Sequence, residues 1–206
     1  MKIQVISPHP DDLEISCSGT LLSLQQQGHD ISSVITVCPS EESNPSRNRK
    51  TVETELAESY KISSWPLKIF NTDLHPDGRP NLKYDNVTMT RLSELIEYSD
   101  LIILPNPNDY HQDHANTYHL CFPLALKRCR TIWTVHSWPY CYHHNTKPNL
   151  LRDITPQWDK KKQLLECYSS YITSTHIDQI KRLNQVWGDQ NQCELAEAFT
   201  VVIDRG

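Results

Sequence analysis

The chain has 206 residues, a length suited to one ordinary α/β domain. Only five are glycine (Gly19, Gly28, Gly78, Gly188 and Gly206), and no two lie closer than nine positions, which excludes a GxGxxG dinucleotide fingerprint, a Walker-type phosphate loop and a GxSxG nucleophile elbow. A net charge of −5 and a pI near 6.0 leave no electrostatic footprint for nucleic acid or an anionic membrane, and no apolar run approaches the roughly 20 residues that cross a bilayer.

Residues 2–7 read as a short strand ending at Pro8, and 13–27 as a helix ended by Gly28. The β-branched run 31–37 is the second strand. A polar stretch from Pro39 to Lys50 has no apolar period and is expected to be a loop or a lid over a site. A helix over 51–60 and a third strand at 67–70 follow. The segment Asn71 to Asp85 reads as irregular, 87–98 as a helix, and the apolar run 101–104 as a buried parallel strand. Asn106 to Asp109 is turn chemistry, 112–127 a helix and 131–135 a fifth strand. Helices at 156–170 and 176–187 and a strand at 198–203 complete the chain. Strands alternating with helices predict a Rossmann-like three-layer α/β fold, with a mostly parallel sheet and helices on both faces. With no repeat or linker in the pattern, residues 1–206 are expected to form a single domain.

The opening MKIQVISPHPDD turns acidic too soon for a secretory signal. Seven scattered cysteines, an odd number without a CxxC pair, argue against a disulfide framework and predict a cytoplasmic, reducing setting.

With no phosphate loop available, chemistry is expected from the ten histidines and the carboxylates. In parallel α/β sheets ligands bind beyond the carboxyl ends of the strands. The first strand is followed by Pro8-His9-Pro10-Asp11-Asp12, and the 101–104 strand by a segment ending Tyr110-His111-Gln112-Asp113-His114. Either cluster alone is explained by helix capping and dipole preference. Together, at strand ends of one sheet, they would converge into an imidazole and carboxylate set suited to zinc. Asp11 and Asp12 are adjacent and point differently, so one can hold metal while the other faces a water whose proton it takes.

Ser7-Pro8-His9-Pro10-Asp11-Asp12, Gly19-Thr20-Leu21 and Tyr110-His111-Gln112-Asp113-His114 together resemble the PIG-L/LmbE family of zinc-dependent N-acetylglucosaminyl deacetylases. The resemblance implies a zinc-dependent hydrolase that removes an N-acetyl group from an amino sugar or its conjugate. It assigns His9, Asp12 and His114 to zinc and Asp11 to the general base. His111 becomes the oxyanion partner or acid, and Asp113 an orienting carboxylate, most naturally for His111. Two departures are visible. Leu13 stands where many members carry an acid, with Glu14 following at once, and Ser16 and Ser18 flank Cys17 where glycines are common.

The rival readings are a related amide hydrolase acting on another small N-acyl substrate, and a non-catalytic sugar- or nucleotide-binding module with a structural metal. A homo-oligomer is compatible with the sequence. Arg49, Asp73 and Tyr110 are candidate substrate contacts, and Arg47 is a weaker one. The segment from His136 to His144, rich in aromatic residues, is a candidate substrate wall. His29, His119 and His176 are expected in ordinary packing or solvent roles, and Lys160-Lys161-Lys162 on a solvated helix face.

Overall fold

In the central strands both faces of each strand are apolar, which calls for cover on either side. In β1 (Lys2–Ser7) every residue after Lys2 is buried, and in β6 (Ser99–Leu104) the run Leu101 to Leu104 is too. Period-2 alternation sends Ile3, Val5, Leu101 and Ile103 to one side and Ile6, Ile102 and Leu104 to the other. The first set packs on Leu13 of α1 (Asp12–Ser16), on Leu21, Leu22 and Leu24 of α2 (Ser18–Gln26), and on Leu164 of α6 (Trp158–Glu166). The second meets Leu92 of α4 (Asn86–Ser93) and Leu120, Cys121 and Ala125 of α5 (Gln112–Arg128). This computed structural model describes residues 1–41, 48–139 and 147–206, so the core of the polar 39–50 stretch, Arg47, and Tyr140 to His144 lie outside the described residues.

The seven-stranded sheet runs, in spatial order, β3 (Leu67–Ile69), β2 (Asp30–Ile35), β1, β6, β7 (Cys129–Val135), β9 (Ala196–Asp204) and β8 (Leu150–Asp153). The pairings of β2 with β1 and with β3, and of β6 with β1 and with β7, are all parallel. The chain leaves β1 toward β2 on one side, and β6 then lies on the other. The reversal of strand order therefore falls between β1 and β6, where their carboxyl ends open a crevice. Both histidine clusters leave from these two strands.

Several elements differ from the sequence reading. The 13–27 helix is two helices, broken at Cys17, whose φ of −146° lies outside the helical range. The 71–85 segment holds a small antiparallel ribbon of β4 (Asp73–Leu74) and β5 (Pro80–Asn81), turned at Gly78 with φ +81°. The helix expected to reach residue 98 stops at Ser93. The 51–60 helix is longer, α3 (Arg49–Ser63), capped by Asn48, whose side chain accepts from the Thr51 amide. A strand absent from the sequence reading, β8 (Leu150–Asp153), pairs antiparallel with β9 (Ala196–Asp204), itself antiparallel to β7. The last helix is α7 (Ser174–Asn191).

Lys160-Lys161-Lys162 is not a solvated face throughout: Lys161 is fully buried. Its Nζ donates to Glu197 Oε1 at 2.7 Å and to the Ile15 carbonyl at 2.9 Å. Glu197, on β9, accepts in turn from the Gly19 and Thr20 amides at 2.9 and 2.7 Å. The pair thus closes the break at Cys17, with a cation on the last carbonyls of α1 and an anion on the first amides of α2. A Cβ at Gly19 would meet Ile154 at 2.8 Å and Glu197 at 3.1 Å, so glycine permits the approach.

Candidate metal and catalytic site

The first cluster is shaped by a strained turn. Asp11 precedes α1 with φ +108°, a conformation that side chains other than glycine rarely adopt, and is 3% exposed. Asp12 begins α1 and folds back: its Oδ2 accepts from the His9 amide at 2.8 Å and lies 3.1 Å from His9 Nδ1.

The second cluster sits on the first turn of α5. His111 is the N-cap, and its Nδ1 accepts from the Asp113 amide at 3.2 Å. His114, one turn on, is buried, with Nε2 3.2 Å from Asp12 Oδ2. The rings of His9, His111 and His114 lie 4.8 to 5.3 Å apart, and one ligand nitrogen from each falls within 4.8 Å of the others.

Charge is concentrated here. Burial pulls the His9 imidazole down, but hydrogen bonds to Asp113 and Asp12 and the Asp12 charge outweigh it, holding its pKa up at about 9. His114, also opposed by burial, is pushed up to about 10 by the Asp12 charge and by bonds to Asp109 and Asp12. Burial opposes ionisation of Asp12, yet His114 and His9 hold its carboxyl well below the usual range. His111 goes the other way: burial, then the charges of His9 and His114, lower it. A neutral His111 accepting at Nδ1 carries its proton on Nε2.

These residues fit a divalent cation. Imidazoles and carboxylates are the donor types zinc takes, and Asp12 stands within reach of both His9 and His114. Asp109, which sequence reasoning passed over as turn chemistry, accepts from His114 Nδ1 at 2.8 Å and turns Nε2 toward Asp12. That is the carboxylate–histidine arrangement that orients metal ligands. Its other oxygen accepts from the His111 amide at 3.0 Å, so one buried side chain sets both histidines.

Above the cluster opens a cavity of about 220 Å³, lined by His9, Asp11, Asp12, His111 and His114 and by Ile15, Trp138, Pro139 and Tyr171. Residues 4–125 match the family described as PIG-L, GlcNAc-PI de-N-acetylase. The chain belongs to the PIG-L family. Its fold is shared with N,N'-diacetylchitobiose deacetylase from Pyrococcus horikoshii (17% identity, TM-score 0.80, over 98% of this chain and 84% of that one). A deacetylase of the teicoplanin biosynthesis pathway is similar at 15% identity and TM-score 0.76, over 98% and 97%. The 4-carboxy-2-hydroxymuconate hydratase of Pseudomonas putida is similar at 18% and 0.78, over 100% and 97%. One fold therefore carries different reactions, and the site must choose among them.

In this PIG-L chain all six residues of the two sequence clusters come together, but with one altered pairing. Asp113 Oδ2 lies 3.0 Å from His9 Nε2, whereas its link to His111 is through its backbone amide. The carboxylate thus orients His9 rather than His111.

The expected substrate contacts do not gather at this cavity. Arg49 is tied to Glu53 at 2.6 Å on the first turns of α3. Asp73 is exposed on the β4–β5 ribbon, 3.0 Å from Arg91. Tyr110 is 74% exposed and outside the cavity wall. Of the 136–144 segment, Trp138 and Pro139 do line it, and Tyr171 joins them from a loop that no sequence signal singled out. Cys17, beside the first cluster, is buried and its thiol is pushed upward by that burial, as befits an inert packing residue. Glu14, the acid after Leu13, is buried and accepts from Ser59 at 2.9 Å and Tyr168 at 2.7 Å, anchoring α1 from below.

Proposed function

We propose that this PIG-L protein is a zinc-dependent hydrolase that removes the N-acetyl group of an amino sugar or its conjugate, with residues 1–206 acting as one unit. The reading rests chiefly on one observation: a strained, buried Asp11 and a neutral His111 face the same cavity as His9, Asp12 and His114. A structural metal site would require neither of them.

His9, Asp12 and His114 hold the ion, and Asp109 and Asp113 fix the two imidazoles. Bound zinc supplies Lewis acidity toward the amide carbonyl and makes a water nucleophilic near neutral pH. Asp11 accepts the proton of the attacking water. His111 donates from Nε2 to the amide oxygen as negative charge gathers there. Its Nδ1 is engaged by the Asp113 amide, which supports the oxyanion role over that of an acid. Asp11, once protonated, is then the group best placed to return a proton to the departing amine.

The test is amine release from a panel of N-acetylated sugars, with and without chelator. Release that chelation abolishes and zinc restores is expected. No release from any sugar, with metal bound, would remove the assignment.

A further inference from the structure

Resting on the deacetylase reading above, we infer that Tyr171 and Trp138 form a stacking wall that takes the apolar face of the substrate's pyranose ring. The cavity lining is of two chemical kinds. His9, Asp11, Asp12, His111 and His114 are imidazoles and carboxylates, while Ile15, Trp138, Pro139 and Tyr171 offer apolar and aromatic surface. A pyranose is divided in the same way: its ring C–H groups form an apolar face, and its N-acetyl group projects from the edge. Aromatic rings match such a face, and a few polar groups fix the orientation. With the ring on the aromatic surface, the N-acetyl group is free to turn toward the histidines and carboxylates.

Tyr171 lines the cavity and is not part of the buried core. It is 42% exposed, whereas Tyr168, three residues earlier, is 1% exposed and packed inside. An exposed ring is ordinarily mobile, yet the Tyr171 loop is pinned from two directions. The Ser170 amide and hydroxyl donate to the Glu55 carboxylate of α3 at 2.7 and 2.9 Å. On the other side, His176 Nδ1 lies 3.0 Å from the Tyr171 carbonyl. The His176 ring also packs near both aromatics, 5.6 Å from Tyr171 and 5.2 Å from Trp138. That is the packing role expected of His176 from sequence, and it links two rings 33 positions apart in the chain. Rigid aromatic surface next to a reaction centre lowers the entropy cost of ligand binding.

The experiment compares Tyr171→Ala, Tyr171→Leu and Tyr171→Phe with the wild type in steady-state hydrolysis of an N-acetylglucosamine-type sugar, alongside calorimetric binding of glucosamine and thermal melts. Alanine and leucine are expected to raise KM and weaken glucosamine binding about three- to tenfold, the range of one aromatic contact, with kcat within about twofold; phenylalanine should stay near wild type. The leucine variant preserves bulk and guards against a folding defect in the alanine one. Turnover by the wild type together with unchanged KM and binding in both variants would overturn the wall alone. Absence of turnover by the wild type on every N-acetylated sugar would overturn the deacetylase reading and the wall with it.

Discussion

Asp109 shows how much one side chain behind a ligand can decide. A histidine presents the correct nitrogen only if the other is held, and Asp109 Oδ2 holds His114 Nδ1 from a side chain 2% exposed. Replacing it with alanine is expected to weaken zinc binding about 10- to 100-fold, read by chelator competition, in a protein that still folds. Asp11→Asn belongs to another class: metal content should be unchanged while turnover falls by about 10²–10⁴, and full activity would remove Asp11 as the base. The convergence of His9, Asp12 and His114 was legible because histidine and aspartate at two strand ends have few other joint explanations. Asp109 was not, because an aspartate in Asn106-Pro107-Asn108-Asp109 has a sufficient local reason to be there. Its five-residue spacing from His114 gains meaning only once α5 is seen to start at Gln112.

Among the elements, the break between α1 and α2 carries the most consequence. Cys17 offers α2 no side-chain cap, and Glu197 supplies that service from the far end of the sheet. Because Lys161 and Glu197 are both fully buried, removing one charge leaves the other uncompensated. Lys161→Met is expected to cost about 3–5 kcal/mol in chemical denaturation, and adding Glu197→Gln should recover part of that loss; equal stability of Lys161→Met and wild type would contradict the brace. A signal for the burial was present in the sequence. Trp158, Lys161, Leu164 and Leu165 fall on one helical face, so the lysine stands within the apolar stripe while its two neighbours turn outward. Three consecutive lysines mask that spacing. The edge strand β8 was hidden for a different reason: four residues with little alternation become a strand only through pairing with β9, more than forty positions later.

For the whole molecule, strand order explains why so much of the fold was readable. Two-sided apolar strands separated by helices permit few parallel arrangements, and the crevice between β1 and β6 follows from them. The same crevice couples folding to pH. His9 and His114 have folded-state pKa values near 9 and 10, above the ordinary 6.5. Their stabilising contribution to the metal-free protein is complete below about 6.5 and is lost as pH rises through 9 to 10. Calorimetry of the metal-free protein should therefore show Tm falling over that window. Zinc held as proposed would displace the same protons, so its affinity and its effect on Tm should grow with pH. A metal-free Tm that rises from pH 7 to 9 would contradict this coupling.

The brace at Glu197 also sets an order in time. His9, Asp12 and His114 all fall within the residues that match the PIG-L family, but Glu197 follows His114 by 83 positions. At ribosomal speeds this is roughly 4–17 s during which a growing chain carries every proposed ligand without the contact that seats α1 against α2. On the proposed reading, metal capture at full affinity would accordingly be a late event in the birth of the protein.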